Sequence, residues 1–421
     1  MQIELRKITI FVYIMCVMGM ILSNVDNVPF HSALTYTRFI YLGILYFQLI
    51  LEMVPIHKKV TGIVGIIILH TIVWGFIAVN ETVIGATHEH AKEMILMILF
   101  VYGTIHYIRY NESLLLFIKA TFISCFISVL WCYITHFSGF APLRYLFQLP
   151  GIIKDQVDYG FSYGFDSYNL AGNVIATTLW LLFLMCALEQ NKNHELKVNA
   201  EYRKLYKVIT LILTLYLILL LVSTTSRGEI LSIVFGIIAI LFMFGNDYAI
   251  SERVLIFRKS IGMIFLVGIV VFNINTITGN DLAKRSSNWS INKEAFEIVG
   301  RRFLGMGYIN PWGFLMKSFP GIETSPCDVF WLYIYFTTGI IGAGIIIGVL
   351  VYLFLNVLKH NSGNRWYDII IKAMIPMLIF NNFYHATLLS YNYMCSKFVL
   401  IFLLEFLMES RDAKSMRCID G

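Results

Sequence analysis

The sequence predicts an all-α polytopic membrane protein of about twelve transmembrane helices. Both termini are expected in the cytoplasm, with a large extracytoplasmic loop between spans 9 and 10. Three observations predict this. Of 421 residues, 58% are hydrophobic and 14% charged, against roughly 25% charged in a soluble domain. Apolar runs of roughly 17–30 residues recur without the period-2 alternation of strands. Lys and Arg gather on alternate loops, the bias that orients membrane helices. So much apolar surface needs lipid as its solvent, and lipid admits only helices or closed barrels.

The expected spans are 7–23, 33–54, 60–79, 92–108, 113–137, 169–188, 208–223, 229–245, 260–276, 327–356, 367–388 and 394–409. Arg6 and Lys7 precede the first, and no small-residue cleavage site follows, so it reads as an uncleaved span. One set of loops carries Lys58 and Lys59, Arg109, Lys192 to Lys207, Arg253 to Lys259, Lys359 and Arg365, and Arg411 to Arg417. Those loops are expected on the cytoplasmic side. Asn381, Asn382 and His385 interrupt the apolar pattern of the eleventh span. The chain reads as one integral membrane domain, 1–421. Its net charge of +6 records cytoplasmic Lys and Arg and carries no implication of nucleic acid. Cys16, Cys125, Cys132, Cys186 and Cys395 lie within apolar runs and none forms a C-x-x-C pair, so neither a metal site nor a disulfide framework is expected.

The longest polar interruption is 277–326, the large extracytoplasmic loop. It holds six cations, Lys284, Arg285, Lys293, Arg301, Arg302 and Lys317, with Asp281, Glu294, Glu297 and Glu323 among them. External cations break the positive-inside pattern. Either they pair with the loop's own acids or they are there to hold anions. Within the loop, Ile291, Ala295, Ile298, Val299 and Arg302 recur at helical spacing, which predicts an amphipathic helix lying on the membrane face. Gly305-Met306-Gly307 follows, a turn that could bring backbone amides to an anion. The second outer segment, 138–168, interleaves Tyr145, Phe147, Tyr159, Phe161, Tyr163, Phe165 and Tyr168 with Asp155, Asp158 and Asp166. Such rings either stack on sugars or form an interfacial belt.

Several residues could carry chemistry. Arg227, in Ser223-Thr224-Thr225-Ser226-Arg227-Gly228-Glu229, joins two apolar helices at the outer face. Its planar fork suits a phosphate, though a snorkelling anchor has the same sequence. Asp328 opens the tenth span, either as a helix cap or as a general base. His385 near the outer end of span 11 is a further polar candidate. Lys119 and Lys372 are the only charges read as lying deep in spans, and no internal repeat is found.

In order, these pieces resemble the O-antigen ligase and O-antigen/capsule repeat-unit polymerase (Wzy-type) superfamily. The resemblance rests on Ser226-Arg227-Gly228, then Arg285-x-x-x-Trp289, then Gly305-x-Gly307. Asp328 follows, eleven residues before Gly339-Ile340-Ile341-Gly342, and Phe165-Asp166-Ser167-Tyr168-Asn169-Leu170-Ala171 resembles the family's segment with an Asn just before a span. It implies a metal-independent glycosyltransferase, without cofactor, that uses undecaprenyl-diphosphate-linked oligosaccharide at the outer face of a bacterial cytoplasmic membrane. Arg227 and Arg285 match the family's diphosphate arginines, with Arg301 or Arg302 assisting and Asn169 and His385 near the substrate. Asp328 stands where ligases carry a His followed by Asn, and Val329 replaces that Asn. The departure favours a polymerase of O-antigen, capsular or exopolysaccharide repeat units, with a flippase and a chain-length regulator as expected partners. The alternatives are a ligase moving finished glycan and a polysaccharide-lipid transporter.

Overall fold

In the computed structural model the described residues are 2–25, 28, 31–77, 81–136, 145, 147–148, 160–195, 200–244, 290–294, 296–297, 301–308, 327, 329–384 and 394–408. Among them the main helices are α1 (Gln2–Leu22), α2 (His31–Leu51), α3 (Lys58–Phe76), α4 (Glu81–Tyr110), α5 (Leu114–His136) and α6 (Tyr168–Glu195). They continue with α7 (Ala200–Ser223), α8 (Arg227–Phe244), α9 (Phe330–Lys359), α10 (Arg365–Tyr384) and α11 (Met394–Met408). There is no strand among the described residues, only an isolated bridge between Val25 and Phe165. Seven helices (α1, α3, α4, α5, α6, α7 and α9) are long and apolar enough to cross a membrane. The expected span 260–276 lies outside the described residues.

Burial sorts the helices into centre and rim. In α11 every residue from Lys397 to Met408 is buried, as a helix packed on all sides must be. It touches α3, α4, α6, α9 and α10. By contrast α7 exposes Leu205, Val208, Ile209, Leu211, Ile212 and Leu215, an apolar face suited to lipid. Around the centre, α1 packs on α2 and α5, α3 on α4, α5 on α6, and α8 on α10, where Phe235 and Phe380 stack with centroids 3.5 Å apart.

Hydrogen bonds tie loops together at two ends. At the end rich in Lys and Arg, the His57 amide donates to His106 Nε2 at 3.4 Å, Tyr367 donates to Glu405 Oε2 at 2.9 Å, and Lys119 pairs with Glu189 at 2.5 Å. At the opposite end the Asp166 amide donates to the Asn24 carbonyl at 3.0 Å.

Helix α9 has 30 residues, about 45 Å, which exceeds a hydrocarbon core of about 30 Å. It breaks at Gly339, whose φ of 64° and ψ of −170° lie in territory open to glycine. Residues 340–359 remain as a rod of about 30 Å. A break uncouples two i to i−4 pairs, leaving the Phe336 and Thr337 carbonyls and the Ile340 and Ile341 amides. The segment 301–307 satisfies all four. Met306 and Gly307 amides donate to Phe336 and Thr337 at 3.0 and 2.9 Å, and Ile340 and Ile341 donate to Arg302 and Phe303 at 3.1 and 3.2 Å. Irregular backbone at this depth survives because protein supplies the partners lipid cannot.

This arrangement corrects one expectation. The Gly305-Met306-Gly307 amides are not anion donors: Gly305 donates to the Arg301 carbonyl at 2.7 Å and the other two hold the helix break. The glycines are needed for fit, since a Cβ on Gly305 would sit 2.4 Å from the Thr337 oxygen and one on Gly307 2.0 Å from the Ile77 oxygen.

Of the expected amphipathic helix, Ala295, Ile298 and Val299 lie outside the described residues; among the described residues 290–294 and 296–297, Asn292 and Phe296, at i and i+4, are buried and Ile291 is half-buried. Phe296 packs on Tyr335 and Phe336 of α9 with centroids 5.0 and 5.5 Å away. The segment docks on protein because a large ring buries more apolar area than the expected aliphatic stripe.

Candidate functional site

The turn between α7 and α8 is built from small hydroxyl residues so that other chains can approach it. Ser223, Thr224, Thr225 and Ser226 are all buried, and Thr225 takes a left-handed φ of 56°. The segment 160–163 lies against it. The Gly160 amide donates to Thr225 Oγ1 at 2.8 Å and the Phe161 amide to the Ser223 carbonyl at 3.0 Å. The Tyr163 hydroxyl meets Ser223 Oγ at 2.5 Å, and burial pushes that phenol above its ordinary range. Gly160 is required: a Cβ there would lie 2.3 Å from the Thr224 carbonyl.

From 220 to 230 every residue is buried except Arg227, which is partly exposed. It opens α8, so its charge sits at the positive end of the helix, a placement disfavoured by roughly 0.3–1 kcal/mol. An anion at this point would be held by the guanidinium and the first-turn amides together.

Ser226-Arg227-Gly228-Glu229 matches the S-x-x-E capping box, in which the two side chains close off the first turn. Here both are turned to α6 instead. Ser226 Oγ donates to Asn169 Oδ1 at 3.0 Å, and Glu229 Oε1 accepts from Asn173 Nδ2 at 2.9 Å. Asn169 and Asn173 are four apart on one face of α6, which makes a two-rung ladder onto α8. Gly172 lets the helices close, since a Cβ on it would be 2.7 Å from Ser226 Cβ.

Glu229 is 0% exposed. Its Oε2 has no hydrogen-bond partner, and the Asn381 amide of α10 faces the carboxyl without meeting hydrogen-bond geometry. Burying a carboxylate costs several kcal/mol. One charge-assisted hydrogen bond returns roughly 1.5–3 kcal/mol and the helix end roughly 0.3–1 kcal/mol. Those terms alone do not keep it ionised and unaccompanied.

No family model matches the chain, and no curated protein matches it. The site stands on its own geometry.

Arg285, Asp328 and His385 lie outside the described residues. Asn169 and the Arg227 turn, 57 positions apart at Ser226, are brought together by the α6–α8 ladder. Arg301 and Arg302 stand on a different wall, with α3, α4 and α9. Both are exposed, and Arg302 and Lys293 lie 3.9 and 3.8 Å from the Glu297 carboxylate, so part of the loop's positive charge is paired within the loop.

The aromatics of 138–168 that are described mostly pack on one another. Tyr145, Tyr163 and Phe165 are buried, with Phe161 5.6 Å from Tyr145 and 5.8 Å from Tyr163 between centroids. Phe147 alone of these is strongly exposed, at 87%.

The deep charges expected from sequence need correction. Lys119 is 41% exposed and paired with Glu189, and Lys372 is half-buried and donates to Asn361 Oδ1 at 2.8 Å. Among the described residues the buried acids and lysines are Glu229, Lys397 at 1%, Glu405 at 3% and, at the start of α10, Asp368 at 8%. Lys397 lies 4.0 Å from Met20 Sδ, with Glu93 and Arg38 as charged neighbours. Sequence reasoning also missed Asn173, although its i+4 spacing from Asn169 is legible.

Proposed function

We propose that this chain is a bacterial inner-membrane glycosyltransferase that polymerises undecaprenyl-diphosphate-linked oligosaccharide repeat units at the outer face. Arg227 and Arg285 hold the diphosphate of the donor, with Arg301 or Arg302 assisting, and Asp328 accepts the proton of the acceptor hydroxyl. Asn169 and His385 lie toward the substrate. As the glycosidic bond breaks, negative charge grows on the leaving diphosphate, and fixed cations stabilise that charge more in the transition state than in the ground state.

The observation that carries the reading is the mounting of Arg227. It is the one residue of its turn that reaches solvent. Its charge stands at the first turn of α8, beside amides that favour an anion. Both capping side chains of the first turn are committed to α6. On this reading a lipid diphosphate is held by the Arg227 guanidinium and the first-turn amides together.

The test uses purified protein with an undecaprenyl-diphosphate repeat unit and EDTA, its glycan products resolved on a gel. A ladder that is lost in Arg227→Ala supports the reading. An undiminished ladder in a normally folded Arg227→Ala overturns the role of Arg227. No ladder with the native repeat unit, but lipid movement across vesicles, favours the transporter reading. That second reading draws on the break in α9 and the buried charges Glu229 and Lys397, features that line ion and substrate paths in membrane proteins.

A further inference from the structure

Glu229 raises a question the transfer reaction does not answer, because among the described residues no cation pairs with this buried carboxylate. It is 0% exposed, Oε1 takes the Asn173 amide at 2.9 Å, and Oε2 has no hydrogen-bond partner. Among the described residues, the side chains that act on it are neutral: Asn173 of α6, bonded to Oε1, and Asn381 of α10. Asn173, Asn381 and Asn382 are 1–2% exposed. Arg227 lies two residues earlier, about 200° around the helix, and does not number among the groups acting on the carboxyl.

A buried charge persists only when it is paired, coordinated or neutralised. Among the described residues the shell offers amide oxygens and no ammonium or guanidinium, which suits a hard cation that takes oxygen ligands. One negative charge in a neutral shell is balanced by a single positive charge, so a divalent ion would leave an excess. We propose that Glu229 is the charge centre of a site for one monovalent cation, a proton or a sodium ion, with Asn173 and Asn381 as its neutral partners. A proton on Oε2 would donate to Asn381 once that amide presents its oxygen, an orientation its nearly symmetric shape allows. A sodium ion would take Oε2 and the amide oxygens directly. Since the same α6–α8 ladder fixes the turn carrying Arg227, occupancy sets how firmly that turn is held.

The site does not depend on the transfer reaction, and its test does not read activity. The full chain in detergent is melted in sodium chloride and in choline chloride at equal ionic strength, as wild type and as Glu229→Gln, which is neutral without any ion. Infrared difference spectra of the same proteins report the C=O stretch of a protonated carboxylic acid. For sodium, the wild-type Tm rises by roughly 2–8 °C and saturates, while Glu229→Gln does not respond. For a proton, sodium has no effect and wild type shows an acid band absent from Glu229→Gln. A second variant, Asn381→Ala, keeps the carboxyl and is expected to weaken the sodium response or shift the acid band. A wild type with neither response, or a Glu229→Gln that responds as wild type does, overturns the proposal.

Discussion

Replacing Gly339 by Ala tests the stitch between the 301–307 segment and α9. The residue sits at φ 64° and ψ −170°, where a side chain costs roughly 1–3 kcal/mol. The new Cβ would lie 2.4 Å from the Phe303 carbonyl and 2.6 Å from the Gly305 nitrogen. Both are backbone, so the 301–307 segment must retreat. Four hydrogen bonds bridge segment and helix, each worth roughly 0.5–1.5 kcal/mol net, or about 2–6 kcal/mol if all are lost. Even 2 kcal/mol multiplies the detached population by roughly 30. Trypsin reads that population at Arg301 and Arg302, whose side chains are exposed while their carbonyls are engaged. When opening is fast, cleavage tracks the open fraction. The expected result is cleavage at this pair at least tenfold faster in Gly339→Ala than in wild type, identified by mass spectrometry. Gly344→Ala is the control, since a Cβ there meets nothing within 4 Å. Equal cleavage in all three proteins would refute the account of the break.

Two further outcomes follow from the same kind of reasoning. Gly160→Ala forces a Cβ to within 2.3 Å of the Thr224 carbonyl and should loosen the Arg227 turn. The expected loss is roughly 1–3 kcal/mol, read as a lower Tm, and an unchanged Tm would count against the contact. His360, capping the end of α9, has its pKa lowered by burial, with Lys372 and Lys59 adding to this and Asp368 opposing it. The native state therefore binds its proton less readily than the unfolded chain, and the stability it contributes is present above the ordinary histidine pKa and lost as pH falls. Between pH 7 and 5 the Tm of wild type should drop more than that of His360→Phe, and equal drops would remove His360 from the acid response.

The helical fold was legible because its signals are long and redundant. An apolar run of twenty residues keeps its meaning if two of them are misread, and α10 forms despite Asn381 and Asn382, since the Asn382 amide bonds back to the Leu378 carbonyl at 2.8 Å. The Arg227 turn and Asn169 could be picked out for similar reasons, as polar residues at the tips of apolar helices. What failed was direction around a helix. Phe296, which the expected stripe left out, is buried against Tyr335 and Phe336 of α9. Lys397 and Glu405 enter the protein centre because α11 is surrounded on all sides, which no property of its own sequence announces. The glycines of 305 and 307 looked like an anion cradle because a G-x-G turn suits many partners, and a broken helix elsewhere in the chain became the partner.

The same stitch bears on the choice between transfer and transport. Alternating access requires one part of the bundle to rock against another around the bound substrate. Among the described residues, helix α9 is the broken element that could serve such a motion, yet its freed backbone groups are tied to the 301–307 segment by four hydrogen bonds and its break is filled by glycines with no spare room. On the other wall, α8 is bound to α6 by the Asn169–Ser226 and Asn173–Glu229 rungs and stacked on α10 through Phe235 and Phe380. Opening toward the basic end would break one set or the other in every cycle. A transferase makes no such demand: it needs a fixed cation at headgroup height, and a locked outer end supplies the preorganisation that stabilises a leaving diphosphate. The rigidity of both walls thus supports transfer over transport. Rigidity is also measurable, because a cross-link placed across the α6–α8 rungs should leave a transferase active and stop a transporter.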